Sequence, residues 1–70
     1  MDIRRQLGLN VQRLRTARGL SQEQLAFEAD LHRTYISGVE RGVRNPTVTV
    51  VAKIATALKV LPEQLLKGVR

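Results

Sequence analysis

The 70-residue chain has no cysteine, no tryptophan, a single histidine and only two aromatic rings, Phe27 and Tyr35. Without cysteine there is no disulfide and no thiolate metal site. The lone His32 has no second histidine with which to complete a zinc site, so neither a metal nor a cofactor is expected. One histidine, scattered carboxylates and no Gly-rich phosphate loop leave no catalytic constellation, and an enzyme is not expected. Single-strand binders stack successive bases on several rings, a mode this composition does not supply. The most apolar stretch, Val48 to Leu61, is interrupted by Lys53 and Lys59 and is too short to span a bilayer. The opening MDIRRQLGLN lacks the apolar run of a secretory signal. A cytoplasmic chain with no membrane association is expected.

Positive charge is what the chain has in excess. Twelve Lys/Arg against six Asp/Glu give +6, with a pI near 11.2. Such a surface suits a polyanion: nucleic acid, an anionic membrane face or an acidic protein. Solubility alone is the plainer explanation. The length is that of one domain. A domain this small buries roughly 60% of its unfolded surface, so a second subunit would add stability.

The sequence divides into five short helical segments. Ile3, Leu7, Val11 and Leu14 fall on one face of the first, which runs to about Arg18 with Gly19 as its C-terminal stop. Ser21-Gln22-Glu23-Gln24 then forms a capping box, and Leu20 with Leu25 can close a hydrophobic staple. Leu25, Ala26 and Ala29 give the second helix an apolar face. Asp30-Leu31-His32 is a turn, since Asp tolerates left-handed backbone. In the third helix Ile36 and Val39 face inward and Gly42 marks the end; Val43-Arg44-Asn45-Pro46 is a loop. Thr47 is a candidate N-cap. The β-branched run Val48–Val51 favours a strand, but Val48, Val51, Ile54, Ala55 and Leu58 match the helical template and the alanines support it, so a fourth helix is expected. Pro62 and Glu63 suit the start of a short last helix.

Two helices joined by about three residues make a helix-turn-helix, whose second helix enters a DNA major groove. The competing explanation is a generic helical hairpin in a small bundle. Against it stand small Ala26 and Ala29 beside the turn, the polar outer face Arg33, Thr34 and Ser37, and a basic exit at Arg41, Arg44 and Asn45. The stretch LSQEQLAFEADLHRTYISGVERGVRNPT resembles the helix-turn-helix of Cro/C1-type phage repressors and the Xre family. Leu7-Gly8, Val11 and Leu14-Arg15 in front, and Pro46, Ile54-Ala55, Leu58 and Val60 behind, extend the likeness over nearly the whole chain. Within it HRTYISGVERG resembles most closely the controller proteins of restriction–modification systems.

The resemblance implies an all-α, compact five-helix domain of the lambda-repressor type, binding a double-stranded DNA operator as a homodimer and regulating transcription. Its helix-turn-helix would span about residues 21–41 and its dimerisation region about 47–70. Base reading falls on Arg33, Thr34 and Ser37; an Arg can donate two hydrogen bonds to guanine, though a phosphate contact is the alternative for Arg33. Phosphate contacts fall on Gln22, assisted by its helix N-terminus, on Arg41, Arg44 and Asn45, and on Ser21 and His32, each of which also suits capping. Tyr35 is assigned to the DNA backbone or, equally, to packing against the fourth helix. Gly38 occupies a position where relatives carry a reading side chain. Closer backbone approach to DNA, a contact with Tyr35 of a neighbouring subunit, and a merely neutral small residue are all open for it.

Arg15 and Glu40 occupy positions that pair across the first and third helices in the family. Glu40 also needs a cation at the negative end of its own helix. An ion pair is therefore expected, serving orientation more than stability. Val50, Leu61, Leu65, Leu66 and Val69 are the candidate dimer seam, some of them shared with the core. Two occupied half-sites would lie about 34 Å apart on a palindrome, with RNA polymerase a further candidate partner. The second hypothesis is an antitoxin-type module that binds a partner protein as well as its own operator; a long tail would favour it, and Gly68–Arg70 is short.

Overall fold

The computed structural model describes residues 2–68, and Val69, one of the candidate seam residues, lies outside them. Five helices and no strand are found among the described residues: α1 (Ile3–Ala17), α2 (Gln22–Ala29), α3 (Arg33–Glu40), α4 (Val48–Leu58) and α5 (Pro62–Leu65). The Val48–Val51 stretch is therefore helical. Thr47 accepts from the Val50 amide at 3.2 Å to start it, and burial of Ile54, Ala55, Ala57 and Leu58 on one face outweighs the β-branched preference.

Helix boundaries follow local chemistry. Ser21 Oγ accepts from the Gln24 amide at 3.0 Å, and Gln24 Oε1 accepts from the Ser21 amide at 2.8 Å; both halves of the capping box are present. Gly19 at φ 71° ends α1 while the Leu20 amide reaches back to the Arg15 carbonyl at 3.1 Å. The same closure uses Asp30 (φ 56°) after α2, with the Leu31 amide on the Ala26 carbonyl at 2.9 Å. That left-handed aspartate is the bend between α2 and α3. Lys59 also closes α4 in left-handed backbone, at φ 59°, a conformation that disfavours side chains other than Gly, Asn and Asp.

The core contains Val11, Leu25, Ile36, Val39, Ile54, Leu58 and Leu65, all nearly inaccessible to solvent. Two expected inward residues stand outside it: Ile3 is 52% and Val48 88% exposed. Both sit in the first turn of their helices, where the helical stripe runs past the edge of the core. Leu65, assigned to the dimer seam from sequence, is corrected: it is 0% exposed within the single chain, so its side chain is already spent on the core. Val50 is half-buried against the same cluster.

Two close junctions position α3 and α5 on α1. A methyl at Gly8 would overlap the Val39 and Glu40 carbonyl oxygens, the latter at 2.7 Å, so only glycine lets α1 and the end of α3 touch backbone to backbone. Buried Asn10 donates from Nδ2 to the Leu65 and Lys67 carbonyls, each at 2.8 Å. It satisfies the carbonyls left over where α5 ends and ties that end to α1.

Candidate nucleic-acid interface

The third helix, α3, is held from behind by charge. Arg15 Nε donates to Glu40 Oε2 at 2.6 Å and Arg15 Nη2 to Glu40 Oε1 at 3.0 Å, a two-point pair between α1 and the end of α3. Arg15 Nη1 also donates to the Leu20 carbonyl at 2.7 Å, and Gln22 Nε2 to Glu40 Oε1 at 3.1 Å. The expected ion pair is thus present and larger than expected. One carboxylate joins α1, the start of α2 and the end of α3. Gln22, assigned to phosphate, has its amide turned toward Glu40; an amide nitrogen carries two protons, so one donor remains for an anion.

In front, α3 is polar and open. Arg33 and Thr34 are exposed and Ser37 is half-exposed. His32 caps the helix: its Nδ1 accepts from the Thr34 amide at 3.4 Å and lies 3.0 Å from the Thr34 hydroxyl. The amide can only donate, so Nδ1 acts as acceptor and the ring's N–H lies on Nε2. The Thr34 hydroxyl is engaged locally, which leaves its methyl as the freer group. Ser21, at the start of α2, has its hydroxyl in the capping box.

At the exit of α3, Arg41, Arg44 and Asn45 are all exposed. Of the chain's carboxylates, Asp2 pairs with Arg4, Glu40 with Arg15 and Glu28 with Arg18; among the described residues none pairs with Arg33, Arg41 or Arg44. Asp2 is held below the usual carboxylate range by the hydrogen bond from the Arg4 side chain, then by that from the Arg4 amide. Three guanidiniums without acid partners therefore bracket the polar face of α3. Tyr35 is half-buried against the core, and the Arg44 guanidinium carbon sits 5.5 Å from its ring centroid.

Packing adds residues that sequence reasoning did not name for this region. A Cβ at Gly42 would lie 3.1 Å from Arg5 Cα, so the start of α1 and its Arg5 are brought beside the exit of the reader. Arg5 carries no local motif; only the tertiary packing places it there. Gln22's link to Glu40 and the clearance at Gly8 are likewise contacts between distant segments, and Gly38 meets Arg44 of the adjoining loop. Among the described residues, no group of three His, Cys, Asp or Glu is placed to hold a metal, and no helix is long and apolar enough to cross a membrane.

A second surface of the chain is apolar, with Arg4 and Asn45 at its edge. Ile3, Leu7, Val48, Val51, Pro62 and Leu66 line a cleft of about 300 Å³. Leu61 and Leu66 are 60% and 43% exposed. Of the seam residues, these two remain open, Leu65 does not, and Ile3 and Val48 join the open apolar surface.

A polar helix presented across a three-residue turn, flanked by guanidiniums without acid partners and locked from behind, defines a helix-turn-helix DNA-binding domain. The family described as "Helix-turn-helix", HTH_3, matches residues 11–65, and the chain belongs to this Xre-type family of DNA-binding regulators. It is similar to the control protein C.BamHI of Bacillus amyloliquefaciens, 50% identical over 66 residues that cover 93% of this chain and 82% of that one. It is 47% identical to the control protein C.SmaI of Serratia marcescens over 94% of this chain and 79% of that one. The crystal structure of the restriction–modification controller protein C.AhdI from Aeromonas hydrophila superposes with a TM-score of 0.87 at 48% identity, covering 89% of this chain and 94% of that one.

Proposed function

We propose that this transcriptional regulator acts as a homodimer on a palindromic operator and controls a restriction–modification system. The observation that carries the reading is the outer face of α3. Arg33, Thr34 and Ser37 point outward between guanidiniums that no carboxylate neutralises among the described residues. Arg33, at the first position of α3, is suited to a guanine edge; Arg41, Arg44, Asn45 and the free Gln22 proton are suited to phosphates. Similarity to control proteins over more than nine-tenths of the chain supports the narrower assignment.

The second copy docks on the apolar side, where Leu61, Leu66, Ile3 and Val48 are exposed. Regulation is positional: occupancy of the operator blocks or recruits RNA polymerase in the cytoplasm.

Footprinting on the DNA upstream of the chain's own gene tests this. The expected result is a protected palindrome with half-site centres about one helical turn apart, bound with an affinity that falls linearly in log–log terms as salt rises. Absence of protection overturns the operator reading, and one asymmetric site filled by a single chain overturns the homodimer.

A further inference from the structure

Gly38 lies inside α3, is buried, and is among the poorest residues for a helix interior. Its position is filled by another residue's side chain. A Cβ built on Gly38 would fall 2.6 Å from Arg44 Cγ, 3.3 Å from Nε and 3.5 Å from Cδ. The Arg44 stem therefore crosses the space that a side chain at 38 would take. The backbone follows the same path: the Val43 and Arg44 amides both donate to the Gly38 carbonyl, at 3.0 and 3.3 Å. Beyond the glycine, the guanidinium comes to rest over the Tyr35 ring, 5.5 Å from its centroid, a distance at which a cation is attracted to the ring face.

We propose that Gly38 is a positioning residue whose missing side chain, together with the Tyr35 ring, forms a seat that lays Arg44 back along α3 and presents its guanidinium in one fixed place to the DNA. The inference rests on the proposed DNA-binding function and adds to it the residue that orders the clamp. A loop arginine has many rotamers, and fixing it before binding removes part of the entropy lost on association. With glycine at 38 that ordering is built into the free protein. Any larger residue there meets the stem at Cγ, close to the Arg44 backbone, so Arg44 must turn about its first side-chain bond and leave the Tyr35 ring.

Gly38→Ala separates this role from a structural one, because binding falls while stability stays close to that of the wild type. Alanine is the better helix former, which offsets the displacement of the Arg44 stem from Tyr35, so the variant is expected to melt close to the wild type. Its affinity for the operator duplex falls by about 2–10-fold, the range for ordering one long side chain. Arg44→Ala loses at least as much, and the double variant binds no more weakly than Arg44→Ala alone. Tyr35 is the only tyrosine, so its ring signals in NMR of the free protein report on the seat directly. They are expected to shift in the same direction in both single variants.

Unchanged affinity in Gly38→Ala overturns the proposal. So does a loss that persists in full in the Arg44→Ala background, which would assign the glycine to close approach of its backbone to DNA. Tyr35 signals that ignore Gly38→Ala overturn it as well. A wild-type chain that binds no duplex overturns the proposed function instead, and the Tyr35 signals still judge the seat.

Discussion

At one side of the molecule, α3 exposes Arg33, Thr34 and Ser37 and is anchored from behind by Arg15, Gln22 and Glu40. On a second surface, Ile3, Val48, Leu61 and Leu66 lie open, and the anchor beneath is Leu65 in the core. The polar surface rests on a polar network and the apolar surface on an apolar core. The two anchors differ in kind. Apolar burial is non-directional, and a leucine stabilises its site in any orientation that fills the space. A two-point guanidinium–carboxylate pair is satisfied in one geometry. A helix proposed to meet a base edge would gain from the second kind of anchor, and a proposed seam against another apolar face would not require it.

The largest effect expected is at the polar anchor. Glu40→Ala leaves Arg15 half-buried with only the Leu20 carbonyl, and removing one partner of a buried pair costs about 3–5 kcal/mol. In a domain of this size the melting temperature should fall by at least ~12 °C in a thermal scan. The sharper variant is the double replacement Arg15→Met with Glu40→Leu, because exchanging both partners for apolar groups is often neutral. Near wild-type melting is expected with clearly weaker operator binding, since α3 and Gln22 lose their directional hold. Full operator affinity in that double variant would show that orientation does not depend on the network.

Next comes the contrast between neighbours on α5. Leu65→Ala removes a fully buried leucine and should cost about 2–5 kcal/mol of folding stability. Leu61→Glu combined with Leu66→Glu changes exposed side chains, for which the folding effect is about 0.5 kcal/mol or less each. Sedimentation equilibrium is expected to show that the exposed pair loses the dimer while the chain stays folded. A dimer that survives both changes would move the seam elsewhere on the chain.

These neighbours also mark where sequence reasoning stops. The caps at Ser21 and the stops at Gly19, Asp30 and Gly42 were legible because each depends on residues within one turn of itself. The fourth helix was legible because its period outweighed its β-branched start. Arg15 and Glu40 are 25 residues apart; their pairing was legible from family resemblance and from the charge that Glu40 leaves at a helix end. Leu65 and Leu66 are adjacent and chemically identical, and on a four-residue helix no period separates inside from outside. Gly8 and Gly38 stood out only through the family resemblance, which did not say what they meet, and Asn10 carries no local signal. What each does depends on a carbonyl or side chain brought from a distant segment or from the next loop.

The smallest effects concern the reader itself, and there the comparison is between its two ends. Arg33 begins α3 and Arg44 returns to it from the loop, and neither has a carboxylate partner among the described residues. Charge alone would make them equivalent, but their surroundings differ. Arg33 extends from the first position of the helix, the part of a reader that enters the groove. Arg44 is stacked on Tyr35 and anchored to Gly38, a fixed cation beside the helix rather than a probe at its tip. Arg33→Ala should therefore remove about 1–3 kcal/mol of discrimination at one base position in each half-site, leaving the salt slope changed little. Arg44→Ala should weaken cognate and scrambled duplexes by a similar factor and flatten the log K against log salt slope by about 0.9 per phosphate released. Binding titrations on both duplexes at several salt concentrations separate the two. If Arg33→Ala weakens every duplex equally, its contact is to the backbone, and base reading passes to Thr34 and Ser37.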